Sequence, residues 1–217
     1  HEIPKDWIKI ENNGLIGKMH FRYLMLRQIT PDKIYRNQFY YSTINNTRII
    51  IPYLYNNKLV YWVSRDITGK SDKRYLYPPS KEWKNKRADL LYNIDNCDSK
   101  NLLICEGQFN ALIVDGVAVG GAEISQQQLN TVISMKPEKV TLAFDQDVPG
   151  KNAIIKTSKI LYKYFKNLFY IDGPVNKEDF SDMGEVKAKK FIDTHSKQYT
   201  TSNIMNTEIN YKLNFKK

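Results

Sequence analysis

The spacing of apolar residues changes character along this chain. Residues 1–18 are polar, punctuated by Gly and Pro, and hold no sustained period, so an extended lead-in is expected there. Over residues 18–28, Met19, Tyr23 and Leu26 recur at three- and four-residue intervals beside Arg22 and Arg27, which predicts an amphipathic helix. Thr30-Pro31-Asp32 combines a capping hydroxyl, a first-turn proline and an early acid, the signature of a second short helix running to about Asn37. Residues 48–55 are then rich in Ile, and residues 58–66 alternate through Val60, Trp62 and Arg65. Between them Asn56-Asn57 tolerates the positive φ angles of a tight turn, so the two runs predict a β-hairpin. Residues 69–87 are basic, aromatic and broken by Pro78-Pro79, and read as irregular loop.

From Asn101 the rhythm alternates between short apolar runs and longer helical periods. Strands are expected at 102–105, 117–119, 140–144 and 168–171. Helices are expected at 108–115, after a Ser125 cap with Leu129, Val132 and Ile133 on one face, and at 151–165. Such β-α alternation predicts an α/β fold: a mainly parallel, Rossmann-like sheet with flanking helices. The expected organisation is a lead-in (1–18), a smaller basic α+β subdomain (19–98), the α/β domain (99–198) and a polar, irregular, flexible tail (199–217).

Charge adds a partner to this picture. Across the 217 residues, 33 Lys and Arg against 23 Asp and Glu leave a net charge of +10, which makes a polyanion the first partner to consider. The distribution is uneven: 18 basic and 10 acidic residues in 1–100, 2 and 6 in 101–150, and 13 and 7 in 151–217. An acidic island between basic flanks suits a metal-binding carboxylate cluster beside a surface that holds phosphates. Cys97 and Cys105 form no C-x-x-C pair and the three histidines are scattered, so no zinc site is expected within this chain. No apolar run is long enough to span a bilayer, and residues 1–5 lack the pattern of a signal peptide. A soluble protein of the cytoplasm is therefore expected, that of the host if the gene is a phage's.

Ligands of such sheets bind beyond the carboxyl ends of the strands. Three acidic features fall there: Glu106-Gly107 after the first strand, Asp145-Gln146-Asp147 after the third, and Asp179-Phe180-Ser181-Asp182 after the fourth. Carboxylates brought together repel one another, and Mg²⁺ or Mn²⁺, an oxygen-liganded ion that keeps room for phosphate, is the natural counter-charge. Each feature alone has a plainer reading, as a turn, a solvated loop or a helix cap; it is their order along the strand ends that points to metal.

Here the residues resemble a family. Ile104-Cys105-Glu106-Gly107-Gln108-Phe109-Asn110-Ala111 is similar to the first TOPRIM motif. Phe144-Asp145-Gln146-Asp147-Val148-Pro149-Gly150 resembles the second in the form primases use, and Lys177-Glu178-Asp179-Phe180-Ser181-Asp182-Met183 resembles the third, with Glu178 shifting its spacing. Upstream, Arg48-Ile49-Ile50-Ile51-Pro52, the hairpin to Arg65, and Lys73-Arg74-Tyr75-Leu76 resemble the amino-terminal subdomain of the RNA-polymerising core of bacterial and phage DNA primases. The resemblance covers roughly residues 20–190. It implies a TOPRIM domain and synthesis of RNA primers from ribonucleoside triphosphates on single-stranded DNA. Glu106, Asp145 and Asp147 would be catalytic. Those three with Asp179 and Asp182 would hold Mg²⁺ or Mn²⁺, with Glu106 as ligand or as base. Arg48, Arg65, Lys73, Arg74 and Lys151 would bind nucleotide or template, and Tyr61, Trp62, Tyr75 and Tyr77 are candidates for stacking bases. It also implies a zinc-ribbon domain preceding the core and a replicative helicase as partner. The alternatives are a TOPRIM nuclease using the same carboxylates, and a non-catalytic nucleic-acid-binding module.

Overall fold

The fold, taken from a computed structural model, describes residues 1–79, 81–174 and 178–214. It holds two five-stranded sheets. The first is an antiparallel meander of β1 (Trp7–Lys9), β2 (Tyr40–Ser42), β3 (Arg48–Tyr55), β4 (Lys58–Asp66) and β5 (Tyr75–Leu76), in that order. Its hairpin pairs Arg48 with Asp66 and Tyr55 with Lys58, and Asn56 and Asn57 turn it at φ 52° and 58°. Two expectations are corrected here. Residues 7–9 do not trail as a lead-in: β1 pairs with β2, and Ile10 is buried after it. Within the expected loop, Tyr75-Leu76 forms an edge strand on β4.

Helices α1 (Leu15–Leu26) and α2 (Pro31–Asn37) cover this sheet. Thr30 caps α2 through the Lys33 amide, as its sequence predicts. The second sheet has the order β10-β9-β8-β6-β7, from β6 (Asn101–Cys105), β7 (Val117–Ala118), β8 (Lys139–Leu142), β9 (Leu168–Ile171) and β10 (Ser196–Gln198). Four of its strands are parallel, and β10 runs antiparallel on the β9 edge. The helices are α3 (Gln108–Ile113), α4 (Gln126–Met135), α5 (Val148–Leu161), α6 (Phe180–Met183), α7 (Glu185–His195) and α8 (Thr201–Asn214). This is the expected α/β sheet with an α+β subdomain beside it.

Side-chain alternation along β6 divides two cores. Leu102 and Ile104 face a cluster with Val132, Leu142, Ile154 and Tyr170. Cys105 faces the other, which continues through Phe109 and Ile113 of α3 into Ile49, Ile51, Leu24 and Ile34 of the first sheet and its helices. The two sheets are thus held by one shared apolar layer with α3 in its middle. Lys33 fastens α3 from α2: its buried ammonium donates to the Leu112 and Ile113 carbonyls at 2.7 and 2.9 Å and pairs with Asp115 and Glu185 at 3.2 Å each. A cation on the free carbonyls of a helix C-terminus satisfies acceptors that have no partner inside the helix.

The carboxyl-terminal segment departs from expectation. Residues 201–214 form α8, where irregular chain was predicted. Ile204 is buried, Thr207 meets the Tyr170 hydroxyl at 3.1 Å, and Tyr199 packs at a tilt against Tyr162. Residues 215–217 of the expected tail lie outside the described residues. Among the described residues no helix is long and apolar enough to cross a membrane.

Candidate active site

Register brings the first two acidic motifs together. Strands β6 and β8 are parallel neighbours that pair Ile104 with Leu142, so the chains leave the same edge of the sheet with Glu106 and Asp145 side by side. Gly150, in the first turn of α5, seals this corner. A Cβ there would collide with the Asp145 carbonyl and stand 3.0 Å from Glu106 Oε1, so only glycine lets the helix approach the carboxylate. A cleft of about 230 Å³ opens in front, lined by Glu106, Gly107, Gln108, Gly120 and Asp145 of the α/β domain and by Tyr75, Tyr77 and Arg87. The carboxyl edge of the parallel sheet therefore faces the β5 side of the antiparallel one.

The electrostatics of this corner are strained by like charge. Burial lifts the Glu106 carboxyl to about 7, with the Asp145 and Asp147 carboxylates adding to the shift. Burial likewise lifts Asp145 to about 6, reinforced by Asp179 and Asp147 and opposed by a hydrogen bond from Asn110. Glu106 Oε1 is buried and has no hydrogen-bond partner. A buried acceptor left unsatisfied is uncommon and destabilising, and one facing a second carboxylate fits a cation. The chemistry of the set, carboxylate oxygens at an open cleft, suits a hard divalent ion.

Convergence is nevertheless narrower than the sequence implied. Among the described residues no three His, Cys, Asp or Glu side chains gather into a metal-holding group. Glu106 and Asp145 face the cleft. Asp147 is exposed and caps α5, accepting from the Gly150 amide at 2.8 Å. Asp179 caps α6, accepting from the Ser181 hydroxyl at 2.6 Å and the Asp182 amide at 3.1 Å. Asp182 is paired with Arg27 at 3.1 Å. Helix capping and an ion pair thus engage three of the five acids placed at the metal. Lys177 of the third motif lies outside the described residues.

The basic residues also divide. Lys73 and Arg74 are exposed on the loop before β5, as a phosphate-binding role requires. Arg65 is buried instead. It donates to the Tyr23 hydroxyl at 2.8 Å and the Tyr75 hydroxyl at 2.5 Å, and its guanidinium lies 5.0 Å from the Phe109 ring centre, so it braces the cleft wall Tyr75 against α3. Arg48 is buried and donates to Ser71 Oγ and to the Lys73 carbonyl, which shapes the loop that presents Lys73 and Arg74. Lys151, in the first turn of α5, is buried and tied to the Gly173 carbonyl at 2.6 Å and to Asp172 at 3.2 Å. The structure thus gives Arg48 and Lys151 internal partners rather than a place on the cleft, because each has an acceptor within reach that sequence separation concealed. Of the aromatics proposed to stack bases, Tyr75 and Tyr77 reach the cleft, while Tyr61 is buried against Tyr53 and Trp62 packs on Trp7.

Sequence reasoning passed over Arg87, Arg27 and Asn110. Arg87 stacks on Tyr77 at 5.0 Å, donates to its hydroxyl at 3.1 Å, and lines the cleft with Glu106. Its position at the end of the basic, aromatic loop was the available signal.

Residues 103–183 match the Toprim-like family. DNA primases of Staphylococcus aureus strains are 31% identical over 148 residues, covering 62% of this chain; the chain spans about a quarter (24%) of their length. The zinc-binding and RNA polymerase domains of the Aquifex aeolicus primase superpose with a TM-score of 0.68 at 14% identity, covering 92% of this chain and 68% of that one. The primase fragment of the bacteriophage T7 primase-helicase protein gives 0.57 at 16% identity, covering 79% and 71%. These likenesses carry the fold.

Proposed function

We propose that this chain, which has a Toprim-like domain within the fold of primase RNA polymerase domains, is the catalytic core of a DNA primase, joining ribonucleotides on a single-stranded DNA template. The observation that carries this reading is the corner of Glu106 and Asp145. Two neighbouring carboxyl groups, both lifted by burial and by surrounding carboxylates and one with an unpartnered oxygen, line a cleft together with Arg87, Tyr75 and Tyr77. Glu106 and Asp145 would hold a divalent ion, Mg²⁺ or Mn²⁺, with Asp147 near enough to raise both carboxyls. The chemistry such an ion supplies is neutralisation of phosphate charge during nucleotidyl transfer.

The remaining roles belong to the chain itself. Arg87 offers a forked donor to a triphosphate or template phosphate in the cleft, and the exposed Lys73 and Arg74 add positive charge on the loop that leads into its lining residue Tyr75. Tyr77, stacked under Arg87, supplies a flat face for a base. Arg65 and Arg48 position these groups through Tyr75 and the loop before β5. A zinc-binding domain and a helicase belong to the same proposal: the A. aeolicus protein carries the first and the T7 protein is a primase-helicase.

The test is incubation of the chain with single-stranded DNA, ribonucleoside triphosphates and Mn²⁺ or Mg²⁺, with a zinc-binding domain supplied separately. Oligoribonucleotides that require template and metal are expected. Shortened DNA without RNA product would instead assign the corner to nuclease chemistry.

A further inference from the structure

The charge of the α/β domain is divided between the two edges of its sheet. Residues 101–150 hold six acids and two bases. Glu106, Asp145 and Asp147 follow the carboxyl ends of β6 and β8, whereas both bases, Lys136 and Lys139, lie at the amino edge, between α4 and the start of β8. Lys163 and Lys166 reach the same edge between α5 and β9. Hydrogen bonds join these two connections: the Val140 amide donates to the Asn167 carbonyl at 3.1 Å, and Asn167 Nδ2 donates to the Glu138 carbonyl at 2.9 Å. The four lysines are thereby gathered on adjacent segments, one strand length from the carboxylate corner, about 15 Å at about 3.3 Å per residue.

Their ammonium groups are not spent on carboxylates. Among the described residues, the acid beside them, Glu138, is paired with Lys100 at 3.4 Å, and no carboxylate pairs with Lys136, Lys139, Lys163 or Lys166. Two of the four stand on rings: Lys139 Nζ lies 4.3 Å from the centre of Phe169, and Lys166 Nζ 4.6 Å from that of Tyr162. A ring face holds an ammonium in place and leaves its N–H donors to another partner. Neighbouring like charges repel, so a cluster kept without internal counter-charge fits a polyanion.

We infer that the amino edge of the α/β sheet is a second contact surface for single-stranded nucleic acid, held through its phosphates by Lys136, Lys139, Lys163 and Lys166. Single charges spread over two adjacent connections match a chain of evenly spaced phosphates, and the exposed Tyr164 offers a face to a base. An anionic membrane surface would be met by apolar side chains beside the lysines. Apart from lysine, the two connections expose only Glu138, Tyr164 and Asn167. The surface serves a strand long enough to leave the cleft, and steadies it while the corner acts. The choice of a single strand rests on the proposed function. Lysines placed after helix C-termini also complement the helix dipole; that role is read in a melt and not in DNA affinity.

The test is fluorescence anisotropy of the full chain with labelled oligothymidylates of about 6 and about 30 nucleotides, within and beyond the size of a single-groove site. Wild type is compared with a variant carrying Lys136→Gln, Lys139→Gln, Lys163→Gln and Lys166→Gln, with the same four positions changed to Arg, and with the pair Lys163→Gln and Lys166→Gln, which alters no strand. A melt of each verifies folding, and the pair decides if the fourfold variant melts low. Each phosphate neutralised on a single strand adds about −0.7 to the log–log salt slope, so four add about −3, and an about fourfold rise in salt costs this surface about fiftyfold in affinity. The fourfold Gln variant should lose that dependence for the long strand and bind the short one like wild type. The Arg version should restore it, and the pair should lose about half of it. Long-strand affinity and slope equal to wild type in the Gln and pair variants, with the short strand still bound, overturn the inference and leave the proposed function standing. Lost binding to phosphatidylglycerol vesicles with long-strand affinity unchanged assigns the edge to a membrane and overturns the inference likewise. Failure of wild type to bind either strand overturns the proposed function and the inference with it.

Discussion

Replacing Glu106 by Gln should stabilise the metal-free protein, and only above the pH at which the carboxyl ionises. In the folded chain the Glu106 carboxyl is raised from 4.5 to about 7 by burial and by Asp145 and Asp147. The folded state thus binds this proton more tightly than the unfolded state does. The site therefore favours folding most below pH 4.5, and that contribution is lost as pH rises toward 7. That rise, at about 1.4 kcal/mol for each tenfold change in proton affinity, corresponds to about 3.5 kcal/mol. Solvent reaches part of the side chain and screens it, so about 1–2 kcal/mol should be realised. For a chain of this size that is about 2–8 °C in Tm. Melts in EDTA at pH 5 and pH 8 are the assay. The Tm difference between Glu106→Gln and wild type should widen by several degrees at the higher pH, and Mg²⁺ should raise wild type but not the variant. A difference that is the same at both pH values would refute the argument that Glu106 is held ionised against its surroundings.

Further expectations follow from the basic residues. Lys151→Met should lower stability by about 1–2 kcal/mol, because the Gly173 carbonyl loses its donor while Asp172 keeps Lys197 at 2.6 Å, and should leave Mn²⁺ affinity unchanged in the folded protein; a large drop in nucleotide affinity without a loss of Tm would restore the phosphate-binding role. Arg87→Ala should weaken ribonucleoside triphosphate binding by about 1.5–3 kcal/mol, the worth of a charged hydrogen bond, with Mn²⁺ binding intact; titration calorimetry reads both. If Lys73, Arg74 and Arg87 each neutralise one phosphate, single-stranded DNA affinity should fall with salt at a log–log slope of about −2, and Lys73→Ala with Arg74→Ala should flatten it.

The elements legible in the sequence are those specified by neighbouring residues. The hairpin of β3 and β4 is written in an Ile run, an alternating run and Asn56-Asn57 between them. The strand–acid junctions at Glu106 and Asp145 are written in short apolar runs followed at once by polar chain. What escaped is set by distant partners. Strand β1 is only three residues long, within an otherwise polar stretch, and exists because β2, over thirty residues away, offers it an edge. Helix α8 shows little amphipathic pattern because a few side chains, Ile204 and Thr207 among them, anchor it. Sequence marks Arg48 and Lys151 as cations but does not reveal the Lys73 and Gly173 carbonyls that engage them. Asn110 stood inside a motif whose acid drew attention, and its two hydrogen bonds, to Asp145 and from the Ser181 amide, are assembled only in the folded chain.

The central claim is that the carboxylate corner performs synthesis rather than binding. Asp145→Asn keeps the shape of the side chain and removes one charge from the corner. The measurement is template-dependent incorporation of labelled ribonucleotide by wild type and Asp145→Asn, each supplied with the zinc-binding domain and Mn²⁺ or Mg²⁺, alongside single-stranded DNA binding by the same preparations. Synthesis should disappear in the variant, while DNA binding stays the same or rises slightly because a repelling charge is gone. Full synthesis by Asp145→Asn would contradict the account.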